Sequence, residues 1–533
     1  MNDRFALSLV LNAHQSFVRF RDTEKKLEDG RLFQSITETY LPLLRVFERL
    51  DADRVPFRIA LSISPLLCDQ LRDPERKSRY VAYLDRRIEF GGREVERTQA
   101  EAPMHRLAKM YYDQMVDDRI QFVERYEGDI LRAFDFFHKK GRLELLTTGA
   151  TYPFLPFYTS YPEAIQAQME MALITHRSVF GRNPQGFWLP ELGWSEGLDE
   201  FLRAYSFSYT IVESHGLVFG HPTPSLGTFA PIKTKSSVAV FGRDFYATKD
   251  LLDTECGYVK DPVYRSPSRD VAFELPAQNM AVLLQAEGVR NPSGFKYWNN
   301  QTELRDPQKS LYDVDGATKR VQEHAKMFLD NRLERLRAAK ELTSQADLSL
   351  CAFDVDLFGR QWFEGPQFIE ALFREAARRE AVYFVTPFEY LNKKELWTLQ
   401  TSTPEFSSWK EDGYAQTWLD STNDWMYRHL LRSIDRMIEL AERFPDGAGL
   451  KERALNQAAR EILLAQDALW ASNSASPREA AISRRCVEEF LHNFTNIYES
   501  LGSNYISTEW LTDLERRHGF FPEMNYRVFK KKR

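Results

Sequence analysis

Cysteine is scarce in this chain. Cys68, Cys256, Cys351 and Cys486 are the four in 533 residues, and no two of them form a CxxC pair. That spacing excludes a disulfide framework and a zinc knuckle, leaving free thiols in a reducing compartment as the simple reading. Long hydrophobic runs are also missing, since none approaches the ~18 residues of a membrane span. Positive charge is not in excess: 71 Lys and Arg stand against 77 Asp and Glu, a formal charge of −6. Nucleic acid is therefore disfavoured as the main partner, because phosphate binding wants a basic surface. The one strongly basic run, Lys530-Lys531-Lys532-Arg533, reads as a solvated tail. Near the start, residues 5–11 are apolar, but Asp3 and Arg4 precede them and no small-residue cleavage site follows. They read as the first strand of a cytoplasmic protein.

What is present is ample core material, with 43% hydrophobic and 28% charged residues, a balance that argues against disorder. From residue 5 to about 387, short apolar runs end abruptly in polar residues and helix-like stretches follow. The runs are FALSLVLNAH (5–14), FRIALSIS (57–64), LELLTTGATY (143–152), GFWLPELGW (186–194), YTIVESHG (209–216), VAVFGRD (238–244), MAVLLQAEG (280–288), LSLCAFDVD (348–356) and VYFVTPFEY (382–390). Near-continuous hydrophobicity marks strands buried on both faces, as in parallel sheets covered by helices. The alternation suggests a (β/α) barrel or an open doubly wound sheet. No GxGxxG or P-loop opens a helix after the first strand, so the nucleotide-binding version loses support. Residues 70–140 are charged and helix-like, too long for an ordinary connection, and suit an insertion over the strand ends. After about residue 400 the strand signal stops. Met426, Leu430, Ile434, Met437, Ile438 and Ala441 recur at helical spacing, Pro445-Asp446-Gly447 breaks the pattern, and further helices follow. The expected layout is a barrel over 1–400 and a helical domain over 401–533.

A barrel places its chemistry where the strands end at their C-terminal face. Those positions hold His14, Ser64, Tyr152, Glu191, Glu213, His215, Arg243, Asp244, Asp354 and Asp356, a polar ring with carboxylates on several strands. Glu191 follows an apolar strand between Trp188 and Trp194, beside Pro190, a poorly hydrated and rigid setting; capping or ion pairing is its structural alternative. Asp354 and Asp356 are two apart, so they point the same way if the strand runs that far. A metal is disfavoured, because the ten histidines are scattered without HExxH-type spacing. Serine chemistry lacks a GxSxG elbow, and Cys351 lies inside a strand. Carboxylates on two strands remain, with aromatic walls from Trp188, Trp194, Trp298 and Trp362. Glycoside cleavage needs that combination: one acid protonates the leaving oxygen, the other attacks or activates water, and sugar faces stack on rings.

These segments resemble glycoside hydrolase family 57, above all its 1,4-α-glucan branching enzymes and the α-amylase-like proteins related to them. The likeness runs through RLFQSITETYLPLL (31–44), GFWLPELGWSEGLDE (186–200), GYVKDPVYR (257–265), FDVDLFGRQWFEGP (353–366), SSWKEDG (407–413), RALNQAAREILLAQ (453–466) and GFFPEMNYRVF (519–529). It implies a distorted (β/α)₇ barrel with a helical insertion, a C-terminal α-helical domain and a retaining double displacement. By position, Glu191 matches the nucleophile and Asp354 the general acid/base. His14 matches a sugar-contacting histidine, and Trp409, Trp418 and Trp470 match aromatics near the acceptor cleft or the domain interface. Tyr152, Trp188, His215, Arg243, Asp356 and Trp362 complete the expected substrate-binding set.

The departures are specific. Asn12-Ala13-His14-Gln15-Ser16 stands where the family has His-Ala-His-Leu-Pro, Tyr152 replaces a histidine, and Leu252 stands where a tryptophan is usual. No tyrosine falls between Leu217 and Ser237, where branching members carry one on a loop. The leading expectation is a branching transglycosylase acting on α-1,4-glucan such as amylose or glycogen, as a monomer or small homo-oligomer without cofactor. An α-amylase or 4-α-glucanotransferase is the alternative within the same chemistry, and a glucan-binding protein that has lost catalysis is the alternative outside it. Catalysis predicts that Glu191 and Asp354 face one cleft, that donors hold Glu191 ionised, and that Tyr152 reaches the same cleft.

Overall fold

Nine strands are found among the described residues: β1 (Phe5–Ala13), β2 (Ile59–Ile63), β3 (Leu143–Thr148), β4 (Gly186–Trp188), β5 (Tyr209–Val212), β6 (Ile232–Lys233), β7 (Ala239–Gly242), β8 (Leu348–Asp354) and β9 (Val382–Phe384). The computed structural model describes residues 4–19, 30–280, 282–283, 290–303, 310–394, 396–410, 412–472 and 477–532. Every apolar run singled out above yields a strand except 280–288. Met280 closes a 3₁₀ turn, 282–283 are turn, and the remainder lies outside the described residues. β6 was not anticipated, because two residues carry no periodicity.

The sheet runs β6-β7-β5-β4-β3-β2-β1-β8. All neighbours are parallel except β6 and β7. β9 pairs with the first residues of β1. Seven of the parallel strands, β1–β5, β7 and β8, form the distorted barrel. Its ladder is open between β7 and β8, where the Asp244 N–H reaches the Leu350 C=O at 2.7 Å across the seam.

Alternation along the strands explains both the cores and the site. In β1, Ala6 and Val10 join one buried cluster, whereas Leu7, Leu9 and Leu11 join a second cluster facing the outer helices. The same split holds in β8, with Leu348, Leu350 and Ala352 on one side and Cys351 and Phe353 on the other. Side chains two apart share a face, so Asn12 and Asp354 continue the first side. They are register partners across β1 and β8, and that pairing brings them together at the mouth.

Helices Pro74–Arg97, Ala102–Ile120 and Ile130–Lys139 fill the excursion between β2 and β3. The carboxylate of Asp73 caps the first of them, accepting the Glu75 and Arg76 N–H groups, as an N-cap should. After β9 the chain forms helices Asp424–Arg443, Leu450–Ala465, Pro477–Gly502 and Thr508–Arg517. The first buries Met426, Leu430, Ile434, Met437, Ile438 and Ala441, the face its spacing predicts. No helix among the described residues is long and apolar enough to cross a membrane.

Candidate active site

Glu191 owes its position to a turn. β4 stops at Trp188, and Pro190–Leu192 make one 3₁₀ turn in which Glu191 adopts φ 56°, ψ 24°. Leu192 follows at φ 49°. Non-glycine residues pay roughly 1–2 kcal/mol each for left-handed backbone. Hydrogen bonds on both sides hold the turn: the Glu191 N–H donates to the Tyr152 hydroxyl at 3.3 Å, and the Glu191 C=O accepts the Trp409 N–H at 2.6 Å. The side chain thereby enters a cavity of about 180 Å³ lined by Asn12, His14, Tyr152, Asp354, Asp356 and Lys410, among others. Hollows of about 600 and 530 Å³ lie elsewhere, and neither holds a strand-end carboxylate.

A chain of hydrogen bonds joins the two carboxylates' surroundings. Asn12 Nδ2 donates to Asp354 Oδ1 at 3.3 Å and to the Tyr152 hydroxyl at 3.0 Å. That hydroxyl also accepts Trp188 Nε1–H at 3.3 Å. Three N–H donors thus converge on one phenolic oxygen. Burial and the Glu191 and Asp354 carboxylates push its pKa far above the ordinary range, so it keeps its own proton to donate.

Burial, then the Asp354 carboxylate, pushes the Glu191 pKa up to about 8, with Asp467 adding to the rise and Lys410 working against it. Among the described residues no side-chain or main-chain donor is hydrogen-bonded to the Glu191 carboxylate. The expectation that donors hold it ionised is therefore corrected, because its backbone rather than its carboxylate takes the turn's hydrogen bonds. Asp354 is the better paired of the two. Crowding by protein raises its pKa, partly offset by the Asn12 hydrogen bond, while Asp356 raises it and Lys410 and His14 lower it. Its surface remains open to solvent, which tempers that rise. Asp356 does not point with Asp354, since the strand ends and a 3₁₀ turn spans Val355–Leu357. Its Oδ2 accepts from Gln15, Ser35 and Arg360 at 2.8, 3.0 and 2.9 Å.

The other expected substrate contacts divide. His14 lines the cavity, but Ser64 Oγ and Asp467 Oδ2 engage its two ring nitrogens at 2.8 and 3.1 Å. Trp188 is buried and packs on Trp409, ring centroids 5.6 Å apart. Arg243 pairs with Glu213 at 2.7 Å and lies over the Trp409 ring at 4.8 Å. His215 Nε2 meets the Gly413 C=O at 2.9 Å, tying down the loop that carries Trp409 and Lys410. Three tryptophans are buried: Trp362 sits in the core rather than on the cavity, and Trp418 and Trp470 take packing positions, the interface alternative rather than the cleft. Trp362 packs among Tyr264, Phe358 and Phe368, and Trp418 stacks on Phe154. Trp470 donates Nε1–H to the Leu464 C=O and packs on Phe490. Sequence reasoning missed Lys410, Asp467 and Arg31; SSWKEDG was noted as a segment, but nothing in it marked Lys410 as facing carboxylates. Among the described residues no three of His, Cys, Asp or Glu converge as metal ligands.

Residues 8–400 match the model of glycosyl hydrolase family 57, and residues 429–529 match that of the 1,4-alpha-glucan branching enzyme C-terminal region. A 1,4-alpha-glucan branching enzyme of Thermococcus kodakarensis is 27% identical over 491 residues, covering 87% of this chain and 69% of that protein. Among solved structures, an alpha-amylase of Thermotoga maritima is 33% identical with a TM-score of 0.93, covering 99% of this chain and 100% of that one. A branching enzyme of the same family from Pyrococcus horikoshii is 25% identical with a TM-score of 0.88, covering 99% and 97%. With its barrel region matched almost throughout, the chain belongs to glycosyl hydrolase family 57.

Proposed function

We propose that this protein is a retaining α-glucan transglycosylase working as a 1,4-α-glucan branching enzyme. The observation that carries the chemistry is the placement of Glu191 and Asp354, from the ends of β4 and β8, on one cavity. In this reading the Asp354 carboxyl gives its proton to the glycosidic oxygen while the ionised Glu191 attacks the anomeric carbon, leaving a glycosyl ester on Glu191. Asp354, now ionised, takes the proton of an acceptor 6-hydroxyl, whose oxygen displaces Glu191 and forms the α-1,6 bond. The branching-enzyme match over residues 429–529 supports transfer to a sugar acceptor.

The Thermotoga maritima alpha-amylase, similar over both whole chains, favours a second reading in which water takes the acceptor's place. Incubation with amylose separates them. Branching predicts new α-1,6 linkages in debranching and chain-length analysis. Reducing ends that rise without such linkages would mean hydrolysis, and transferred α-1,4 chains alone would mean 4-α-glucan transfer. Glu191→Gln is expected to lower every one of these activities by at least about 10³-fold; glucan binding with no turnover even in the wild type would leave only a glucan-binding protein.

A further inference from the structure

Tyr152 shares the left-handed backbone of Glu191 and Leu192, at φ 64°, although none of the three is glycine. Such conformations persist where the surroundings over-determine them. Much of that hold comes from the C-terminal helices. Asp467, its side chain 1% exposed, pairs with His14 Nε2 at 3.1 Å, while Ser64 Oγ meets His14 Nδ1 at 2.8 Å. Pinned at both nitrogens, the imidazole cannot turn. The Tyr152 ring stacks on it, with centroids 4.3 Å apart and planes 12° from parallel. The next residue, Ala468, donates its N–H to the Tyr152 C=O at 3.0 Å, and Asp467 itself bridges to Pro153. Tyr152 is thus gripped by ring and main chain together, and its hydroxyl receives the Glu191 N–H.

We propose that Asp467 is a positioning residue of the cleavage site: acting through His14 and Tyr152, it sets the turn from which Glu191 attacks. The proposal rests on the reading of Glu191 as the nucleophile. Ser64, His14 and Asp467 follow the order of an acyl-transfer triad, but Ser64 is fully buried and its Oγ caps the helix Pro65–Arg72. It is a strut. Asp467 does not line the cavity, so its loss should appear in kcat rather than in KM; a misplacement of about 1 Å at a reacting group costs on the order of 10²-fold. Asp467 also acts by charge. Glu191 faces Asp354 from β8, Tyr152 from the turn after β3, His14 from β1 and Lys410 from the 407–415 loop. Asp467 adds negative charge from the C-terminal side, which disfavours ionised Glu191.

The test uses full-length Asp467→Ala, Asp467→Asn and Glu191→Gln with amylose, reading kcat, KM, the pH profile and far-UV circular dichroism. Asp467→Ala is expected to lose about 10²-fold in kcat with KM nearly unchanged. Asp467→Asn, whose amide oxygen still accepts His14 Nε2–H, should recover most of that rate. It should also move the kcat/KM limb near pH 8 to lower pH, because a negative charge near Glu191 is gone. A lower melting temperature with an unmoved limb would mean that Asp467 only stabilises the fold, and overturns the proposal. So does wild-type kcat in Asp467→Ala. If that variant does not fold, Asp467→Leu, which keeps the volume and loses the His14 acceptor, takes its place, with the same loss of kcat expected and wild-type kcat again overturning the proposal. Turnover surviving in Glu191→Gln overturns the nucleophile reading whatever Asp467 does. A dead Glu191→Gln beside unaltered Asp467 variants overturns the positioning alone.

Discussion

As the proposed nucleophile, Glu191 meets two opposed demands, since attack requires it ionised while its burial opposes ionisation. With its pKa pushed up to about 8, and with the proposed mechanism needing Asp354 protonated while Glu191 is ionised, the free enzyme should show a bell-shaped kcat/KM with one limb near that value. A flat profile between pH 6 and 9, taken as a range of about three units around it, would contradict the assignment. Lys410 is the cation that pulls Glu191 and Asp354 downward together. Lys410→Met should therefore move that limb to higher pH, by up to about one unit, and an unmoved limb would show that its charge does not reach the pair. Stability carries the same sign. A carboxyl whose pKa rises on folding stabilises the fold fully below its unfolded value near 4.5, and the contribution is lost as pH rises through about 8. Glu191→Gln lacks that loss. Its melting temperature should exceed the wild type's by a margin that widens from acidic to alkaline pH, reaching on the order of a few kcal/mol. Thermal melts at several pH values measure that margin directly.

Elements set where these residues can stand. β1 and β8 place Asn12 opposite Asp354 because their register is parallel and both side chains fall on the inward alternation. β4 is cut short by the Pro190 turn, and that early stop turns Glu191 inward. The loop carrying Trp409 and Lys410 is secured at Gly413, whose φ is +69° and whose missing Cβ would lie 2.6 Å from His215 Cε1. Ser408 N–H closes the loop on the Gly413 C=O at 2.8 Å. Gly413→Ala should displace the His215 ring or the loop, with a local penalty of roughly 1–2 kcal/mol. The expected reading is about tenfold lower turnover with little change in global melting. Wild-type turnover in that variant would show that the loop's position is immaterial.

The whole molecule shares one core between the barrel and the C-terminal helices. Val10, Leu146, Phe154 and Trp188 belong to the same buried cluster as Leu430, Leu455, Ile462 and Phe494. Hydrogen bonds cross the same boundary: Thr151 Oγ1 donates to the Leu463 C=O, and Gln168 Nε2 donates to Gln466 Oε1 at 3.0 Å. Cutting the chain after residue 423 would expose that apolar face and release the Tyr152 turn. The shortened protein should collect in the insoluble fraction and show no turnover on amylose. A soluble, active fragment would mean that the helices contribute neither core nor site.

Sequence by itself determined the barrel's strands, the face the first C-terminal helix buries and the family, and it picked out two strand-end acids, Glu191 and Asp354, that the fold brings to one cavity. These are local properties: apolar runs, helical periodicity and short motifs are carried by neighbouring residues and survive without knowledge of what packs on them. It could not determine the fate of individual side chains. Trp362 reads as a sugar contact, and Trp418 and Trp470 as aromatics of the acceptor cleft or the domain interface, because an aromatic ring suits a core and a cleft equally and only packing decides which it enters. Asp356 reads as a partner of Asp354 only if the strand continues, and it ends two residues too soon. Lys410 and Asp467 carried no signal at all, since their importance comes from meeting Glu191 across 219 and 276 residues of chain. Only the tertiary structure gathers such distant charges around one low-dielectric cavity, and there their mutual electrostatics, absent from the extended chain, set the charge state of Glu191.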